Sequence, residues 1–267
     1  KKGRFDEEGD YAIAGVPGVS NKIVLRFDDP GGAVTGTLFP TGNLRDVLEV
    51  PDVGKVELTV IDAANPVILV PAAELGLSGI EIDEVENDAS IRRRLENIRS
   101  AVSVEIGLTE TMEEATLRSQ AVPKIAFVAS PASYQSVGGD TVDGSDVDLV
   151  GRFMSMGTLH KSYAVSGGVA TVGAAMIPGT VVNDLLKAGA VNKEMLSIGH
   201  PSGIIQVGAV IENASGAYHY KEAVLGRTAR RLMEGSVLVP EKSFNPDLII
   251  LDLMMPDLSG LEVLNYM

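Results

Sequence analysis

The chain has 267 residues, a formal net charge of −14 and 45% hydrophobic residues, which allows one large or two ordinary domains with a real core. The negative charge disfavours binding to nucleic acid or to an anionic membrane surface, because both need a basic protein face. The sequence has no cysteine and three dispersed histidines, which excludes disulfides and thiolate catalysis and gives little basis for a zinc site. Since no signal peptide is evident, we expect a cytoplasmic protein.

The first third of the chain predicts strands and one amphipathic helix. Residues 1–50 alternate short apolar pieces with turns, and they are too few to make a core of their own. The run Val67–Val70 is a continuous apolar strand. Asp88 begins a helix that runs to about Ile106, because apolar residues recur on one face after this polar start. The arginines of this helix are expected on its solvated face, and they are Arg92, Arg93, Arg94 and Arg99.

The middle of the chain contains a long stretch without charge. A polar turn at Ser155–Thr158 precedes His160 and Lys161, and an uncharged run of mostly small residues follows as far as Asn183. Small residues on every side predict a helix that is buried all round, over about residues 158–176. Its first turn would present unpaired N–H groups and the positive end of the helix dipole to an anion.

Three interpretations of this stretch stay open. The uncharged run is long enough to span a membrane, although it contains hydroxyl groups, a proline and few large apolar residues. The second interpretation is a central core helix without a chemical role. The third, which we favour, is a central helix whose first turn binds an anionic substrate.

A second glycine-rich segment has the sequence Gly-His-Pro-Ser-Gly at residues 199–203. The simplest interpretation is a tight loop, because glycine and proline favour turns. The alternative is a carboxylate-binding loop beside the imidazole of His200. In that case the Ser202 hydroxyl and free backbone N–H groups would act as the hydrogen-bond donors.

Several motifs in a fixed order resemble those of the PrpF family, between about Lys22 and Pro240. They are GTLFPTG at 36–42, VIDAANPVILV at 60–70, SMGTLHKSYAVSGG at 155–168, IPGTVVN at 177–183, SIGHPSG at 197–203 and RTARRLMEGSVLVP at 227–240. The resemblance implies an α+β, diaminopimelate-epimerase-like fold, with a curved, mostly antiparallel sheet wrapped around a central buried helix. That fold has two similar domains and places the active site in the cleft between them.

The same resemblance implies an isomerase that needs no cofactor and acts on a small polycarboxylate. PrpF-type enzymes move a proton, and with it a double bond, in acids such as aconitate, 2-methylaconitate or 4-oxalomesaconate. Such chemistry needs an acid, a base and a rigid cage for the carboxylates. The residues carried over for carboxylate binding are Ser155, Met156, Gly157, His160, Lys161, His200 and Ser202. Lys161 would also act as acid or base if it were desolvated.

The resemblance divides the chain into three segments. Residues 1–58 would be the remainder of a first epimerase-like domain, residues 59–240 the second domain, and residues 241–267 an appended fragment. The family's cysteine-containing acid/base loop has no counterpart, so we expect a chain truncated at its N-terminus that binds substrate and converts it slowly or not at all. An incomplete first domain would expose sheet edges, which predicts aggregation or pairing as a homodimer.

The tail resembles a different family. Pro246–Leu264 is similar to the third strand and following helix of a response-regulator receiver domain, and Asp252 would match its phosphoacceptor. The receiver's magnesium-binding acidic pair and its switch residues have no counterpart, and so short a fragment cannot fold alone. Two alternatives to an isomerase therefore stay open: a non-catalytic carboxylate-binding accessory protein and a signalling protein with a receiver unit.

Overall fold

The computed structural model describes residues 8–214, 216–230 and 235, and the receiver-like segment with Asp252 lies outside these residues. The strands are β1 Tyr11–Ala12, β2 Val19–Ser20, β3 Ile23–Asp28, β4 Asp46–Val50, β5 Gly54–Asp62, β6 Pro66–Pro71, β7 Lys124–Ala129, β8 Tyr134–Gln135, β9 Thr141–Val142, β10 Leu149–Ser155, β11 Thr158–Leu159, β12 Leu196–His200, β13 Gly203–Ala214 and β14 Ala217–Arg227. The helices are α1 Asp83–Asn87, α2 Ala89–Glu105, α3 Met112–Arg118, α4 Val165–Ala175 and α5 Val181–Leu185.

One large sheet dominates the described part of the chain. Its ten strands there run in the order β3-β14-β13-β12-β10-β7-β6-β5-β4, and β11 pairs with β10 beside this path. The neighbouring strands are antiparallel except for the parallel pairs β6–β7 and β10–β12. The α+β class with a mostly antiparallel sheet is therefore confirmed.

The early strands of the chain belong to this same sheet. β3 pairs with β14, and β4 pairs with β5. The predicted boundary between residues 58 and 59 falls inside β5, so residues on both sides of it form one layer. The connection from β3 to β4 is tied to the sheet by the buried carboxylate of Asp62, which accepts hydrogen bonds from the N–H groups of Val34 and Thr35 at 2.8 and 2.6 Å.

The helix α4 is central, and the sheet curves around it. It contacts β5 and β6 near one end of the strand order and β13 and β14 near the other. Nine of its residues are buried, as small residues on every side predict. Glycines allow close contact with aromatic rings, since a Cβ on Gly167 would lie 2.3 Å from Phe153 and one on Gly173 would lie 2.4 Å from Tyr220. The predicted central buried helix is confirmed.

Two details of the central stretch differ from the prediction. The helix begins at Val165, later than the predicted start at about residue 158. The uncharged run does not form one long helix, because Pro178 and Gly179 follow α4 and α5 begins separately at Val181. In the described ranges no helix is long and apolar enough to cross a membrane.

On the other face of the sheet, α2 packs against β4 and β7. Asp88 caps this helix by accepting a hydrogen bond from the Ser90 N–H at 2.7 Å, and the predicted helix is confirmed. Arg99 differs from the prediction because it is only 4% exposed. Its guanidinium donates to the Glu96 carboxylate and to the carbonyl of Ala115 in α3, so it joins two helices rather than facing solvent.

Candidate functional site

The turn between β10 and β11 contains Ser155, Met156 and Gly157, which the sequence predicts at the start of the helix instead. Ser155 pairs with Thr158 across this hairpin, and Met156 and Gly157 have positive φ angles of 47° and 78°. Two successive positive φ angles are typical of tight turns between antiparallel strands. Met156 and Gly157 border a small pocket beside α2, on the face of the sheet opposite α4. The structure therefore does not bring them to the start of α4.

His160 follows this hairpin and lies near the first turn of α4. Its backbone N–H donates to the Phe153 carbonyl at 2.8 Å, and its ring meets the Phe153 ring edge-on with centroids 6.5 Å apart. Phe153 is also the ring that packs against Gly167 in the first turn, so it places the imidazole beside the helix start. The Nδ1 atom of His160 accepts a hydrogen bond from the Ser162 N–H at 3.1 Å.

His200 ends β12 and pairs with Gly203 across the turn to β13. The residue is 2% exposed, and its Nδ1 atom accepts a hydrogen bond from the Ser202 N–H at 3.2 Å. Burial lowers the pKa of His200 to about 4, against a hydrogen bond with the Ile204 backbone that raises it, and electrostatic interactions act in the same direction as burial. The groups responsible are Arg152, His160 and Arg227. The His200 imidazole is therefore neutral at physiological pH, and it lies close enough to His160 for the two rings to interact electrostatically.

The two imidazoles share a geometry that fixes the positions of their protons. In each ring, Nδ1 accepts a hydrogen bond from the backbone N–H two residues further along the chain, so Nδ1 carries no proton. A neutral imidazole must then carry its proton on Nε2. His160 and His200 consequently present one Nε2–H donor each.

The first turn of α4 adds further donors. Ala164 precedes the helix and provides no side-chain cap, so the first backbone N–H groups, from Val165 onward, are left without a capping side chain. These groups form the positive end of the helix dipole. A helix start of this kind favours negative charge, and His160 lies beside it through the Phe153 ring.

Ser202 and Lys161 meet through the backbone of Lys161, because the Ser202 hydroxyl donates to the Lys161 carbonyl. This hydrogen bond joins the 199–203 loop to the segment that enters α4. The Lys161 side chain is 58% exposed and forms an ion pair with Glu86. The structure therefore does not give Lys161 the desolvated environment that the acid/base hypothesis requires.

Two residues behind the 199–203 loop are missing from the site predicted from the sequence. Tyr134 donates a hydrogen bond to the loop, and Arg152 lies buried over the Tyr134 ring. The sequence does single out Arg152, because it is a lone arginine inside an apolar strand. Such a residue needs hydrogen-bond partners if it is buried. Tyr134 lies before a segment rich in glycine and aspartate, where the pattern indicates only turns.

Comparison with known proteins assigns the chain to a family. A family model described as PrpF protein matches residues 1–240. The chain belongs to the PrpF family. It is 42% identical over 243 residues to the 2-methyl-aconitate isomerase of Shewanella oneidensis, a match that covers 90% of this chain and 60% of that protein. It is 41% identical over 239 residues to the 3-methylitaconate isomerase of Eubacterium barkeri, covering 89% of this chain and 61% of that protein.

This PrpF chain also shares its fold with a solved structure. The crystal structure of methylitaconate-delta-isomerase matches with a TM-score of 0.80 at 39% sequence identity, over 92% of this chain and 64% of that chain. The family and the fold class predicted from the ordered motifs are confirmed. The chain spans about 60% of the length of the curated relatives it matches.

Proposed function

We propose that this PrpF chain binds a small polycarboxylate at the start of α4 and serves a cofactor-independent isomerase, which moves a proton and a double bond in that acid. Two relatives support the reaction class, since they are named as isomerases of 2-methyl-aconitate and of 3-methylitaconate. Aconitate, 2-methylaconitate and 4-oxalomesaconate are the acids to test first.

The main support for the proposal is the orientation of two imidazole rings. His160 and His200 each use Nδ1 as an acceptor, so each ring has its donor on the opposite nitrogen. A pKa of about 4 keeps the His200 imidazole neutral. That side chain would therefore hold a carboxylate by a hydrogen bond from a neutral N–H group, at a helix start that favours negative charge.

This arrangement suits a reaction that develops negative charge on a carboxyl group. In an α,β-unsaturated acid, removal of a proton from the saturated carbon next to the C=C bond leaves a dienolate. Its negative charge spreads onto the carboxylate oxygens. Fixed donors aimed at these oxygens lower the barrier, because they need no reorganisation as the charge develops. In this proposal His160, His200 and the first N–H groups of α4 hold a substrate carboxylate, and other groups transfer the proton. Ser202 keeps the loop in place, because its N–H donates to His200 and its hydroxyl donates to the Lys161 carbonyl.

The state of Lys161 favours a second function. Its side chain is exposed and paired with Glu86, and the sequence has no cysteine. A chain with a carboxylate site and no proton-transfer group of its own would act as a carboxylate-binding accessory protein. Deuterium uptake by the ligand separates this function from an isomerase.

The test is proton exchange in D₂O followed by NMR. The purified chain is incubated separately with trans-aconitate, 2-methylaconitate and 4-oxalomesaconate, and the ligand signals are followed for line broadening, deuterium uptake and isomer conversion. We expect broadening that His200→Ala abolishes, together with slow deuterium uptake. His219→Ala is the matched control, because the His219 side chain is 59% exposed on β14.

Each outcome decides between named alternatives. Broadening without deuterium uptake would favour the accessory function over the isomerase. Rapid uptake that Lys161→Ala abolishes would place an acid or base inside the described part and overturn our assignment of proton transfer to other residues. Neither broadening nor uptake with any of the three acids would contradict the proposed function.

A further inference from the structure

We propose that Tyr134 and Arg152 are positioning residues that hold the 199–203 loop from the face of the sheet opposite α4, and thereby fix the direction of the His200 donor. We call these two side chains the rear pair. The identity of the ligand that meets the loop rests on the proposed function, whereas the geometry of the loop does not depend on it.

Tyr134 joins the two strands that the loop connects. Its hydroxyl oxygen lies 2.7 Å from the carbonyl oxygen of His200 and 2.8 Å from that of Gly203. These two residues are paired at the closed end of the β12–β13 hairpin, so one phenol group holds both sides of the turn. Burial raises the pKa of Tyr134 to about 12, and the hydroxyl therefore keeps its proton across the physiological range.

Gly199 allows this close approach of the tyrosine. A Cβ on Gly199 would lie 3.1 Å from the Cε1 atom and 3.1 Å from the hydroxyl oxygen of Tyr134, and equally close to Val150. Such contacts are too tight to accept without movement of the ring. The absence of a side chain at this position is therefore part of how the phenol reaches the loop.

Arg152 in turn fixes Tyr134. Its side chain is fully buried, and its guanidinium carbon lies 4.6 Å from the centre of the Tyr134 ring. Its N–H groups donate to four backbone carbonyls, which are those of Ile80, Glu81, Gly151 and Gly199 at 2.9, 3.0, 3.0 and 3.4 Å. Through these hydrogen bonds the guanidinium connects Gly199, the residue before His200, to β10 and to residues 80–81 before α1.

The burial of the rear pair argues for a role beyond packing. Replacing buried charged groups by well-packed apolar side chains is often neutral or stabilising, so a buried arginine is a poor choice where packing alone is needed. Both carbonyl partners of the Tyr134 hydroxyl and one of those of Arg152 belong to the backbone of residues 199–203. When this backbone is fixed, the Ser202 N–H meets the Nδ1 atom of His200 at 3.2 Å, which sets the direction of the Nε2–H donor.

The experiment measures the His200 tautomer and the affinity for a tricarboxylate in matched variants. Chains labelled with ¹⁵N-histidine are compared by NMR as wild type, Tyr134→Phe and Tyr220→Phe, and tricarballylate is titrated into each by calorimetry. Tyr220→Phe is the control, because it also removes one buried hydroxyl that donates to a carbonyl, that of Val169 at 2.9 Å, away from the loop. Arg152→Lys is a second variant, which keeps the charge and loses the planar fork of donors.

We expect Tyr134→Phe to lower the share of the Nε2–H tautomer of His200 and to weaken tricarballylate binding about three- to tenfold, the range for one lost hydrogen bond. Arg152→Lys should act in the same direction, and Tyr220→Phe should change neither readout. An unchanged His200 tautomer in folded Tyr134→Phe and Arg152→Lys chains would overturn the proposal. If the wild-type chain does not bind tricarballylate, the proposed function fails, and the tautomer comparison still decides the role of the rear pair.

Discussion

The candidate site depends on the positions of two protons, those of the His160 and His200 imidazoles. Backbone N–H groups at residues 162 and 202 occupy the Nδ1 atoms, so the donors lie on Nε2. Of the seven residues predicted for carboxylate binding, the structure brings His160, His200 and Ser202 together, with Lys161 present through its backbone carbonyl. The positions of the protons cannot be predicted from the sequence, because they follow from backbone directions that residue types do not specify.

The low pKa of His200 predicts how the stability of the chain depends on pH. The pKa falls from 6.5 to about 4 in the folded chain, so between these values the unfolded chain binds the proton more tightly. The free energy of unfolding should therefore show no contribution from this group above pH 6.5 and should decrease as the pH falls toward 4. The expected loss is about 2 kcal/mol at pH 5, measured by urea unfolding at pH 7 and at pH 5.

Two histidine variants isolate this contribution. His200→Gln keeps a hydrogen-bond donor and removes the titrating group, so it should lose this part of the pH dependence. His219→Gln changes an exposed histidine and should keep it. The same pH dependence in the wild type and in His200→Gln would contradict a neutral, buried imidazole at residue 200.

The helix α4 and the hairpin before it show where sequence patterns succeed and where they fail. Small residues on every side predict a buried helix, because they leave no polar face for solvent, and the structure has one. The start is misplaced because serine, threonine and glycine favour both helix starts and tight turns. The structure has a turn here, with positive φ angles at Met156 and Gly157. Of these two residues, only Gly157 is of a type that predicts a positive φ angle.

The packing of α4 predicts different results at two adjacent glycines. Alanine favours a helix over glycine by about 1 kcal/mol, but a Cβ on Gly167 would lie 2.3 Å from the buried Phe153 ring. Gly167→Ala should therefore destabilise the chain by about 2 kcal/mol. Gly168→Ala is the matched control, because its Cβ would lie 3.2 Å from the end of the Val207 side chain, and it should be near neutral. Urea unfolding measures both changes, and a stabilised Gly167→Ala chain would contradict the close helix–ring contact.

The complete sheet is the part of the molecule that local patterns predict least. The boundary predicted after residue 58 has no counterpart as a linker, because β5 pairs with β4 on one side and with β6 on the other. The pairing of β3 with β14 joins segments about 200 residues apart, and such a contact leaves no local trace in the sequence. The ordered motifs of the PrpF family do indicate this pairing, because a chain that shares these motifs is expected to share the strand arrangement of its relatives.

Pairing of two copies stays a prediction, and the outer strands offer a test of it. Within the described residues, β3 and β4 end the strand order, and Val24 and Val47 on them are 50% and 62% exposed. Exposed apolar edge strands favour pairing with another chain. We expect a dimer in sedimentation velocity that Val24→Lys or Val47→Lys dissociates. Val210→Lys is the control, since Val210 is 46% exposed on the internal strand β13, and a monomeric wild-type chain at micromolar concentration would contradict the prediction.

The proposed carboxylate site at the start of α4 is tested most directly by mapping trans-aconitate onto the wild-type chain with amide and imidazole NMR shifts. We predict that the largest shift changes occur at the N–H groups of residues 165–167, in the 199–203 loop and at the imidazoles of His160 and His200, and that they saturate at one ligand per chain. Shift changes centred elsewhere, or none at millimolar trans-aconitate, would contradict a carboxylate site at this helix start.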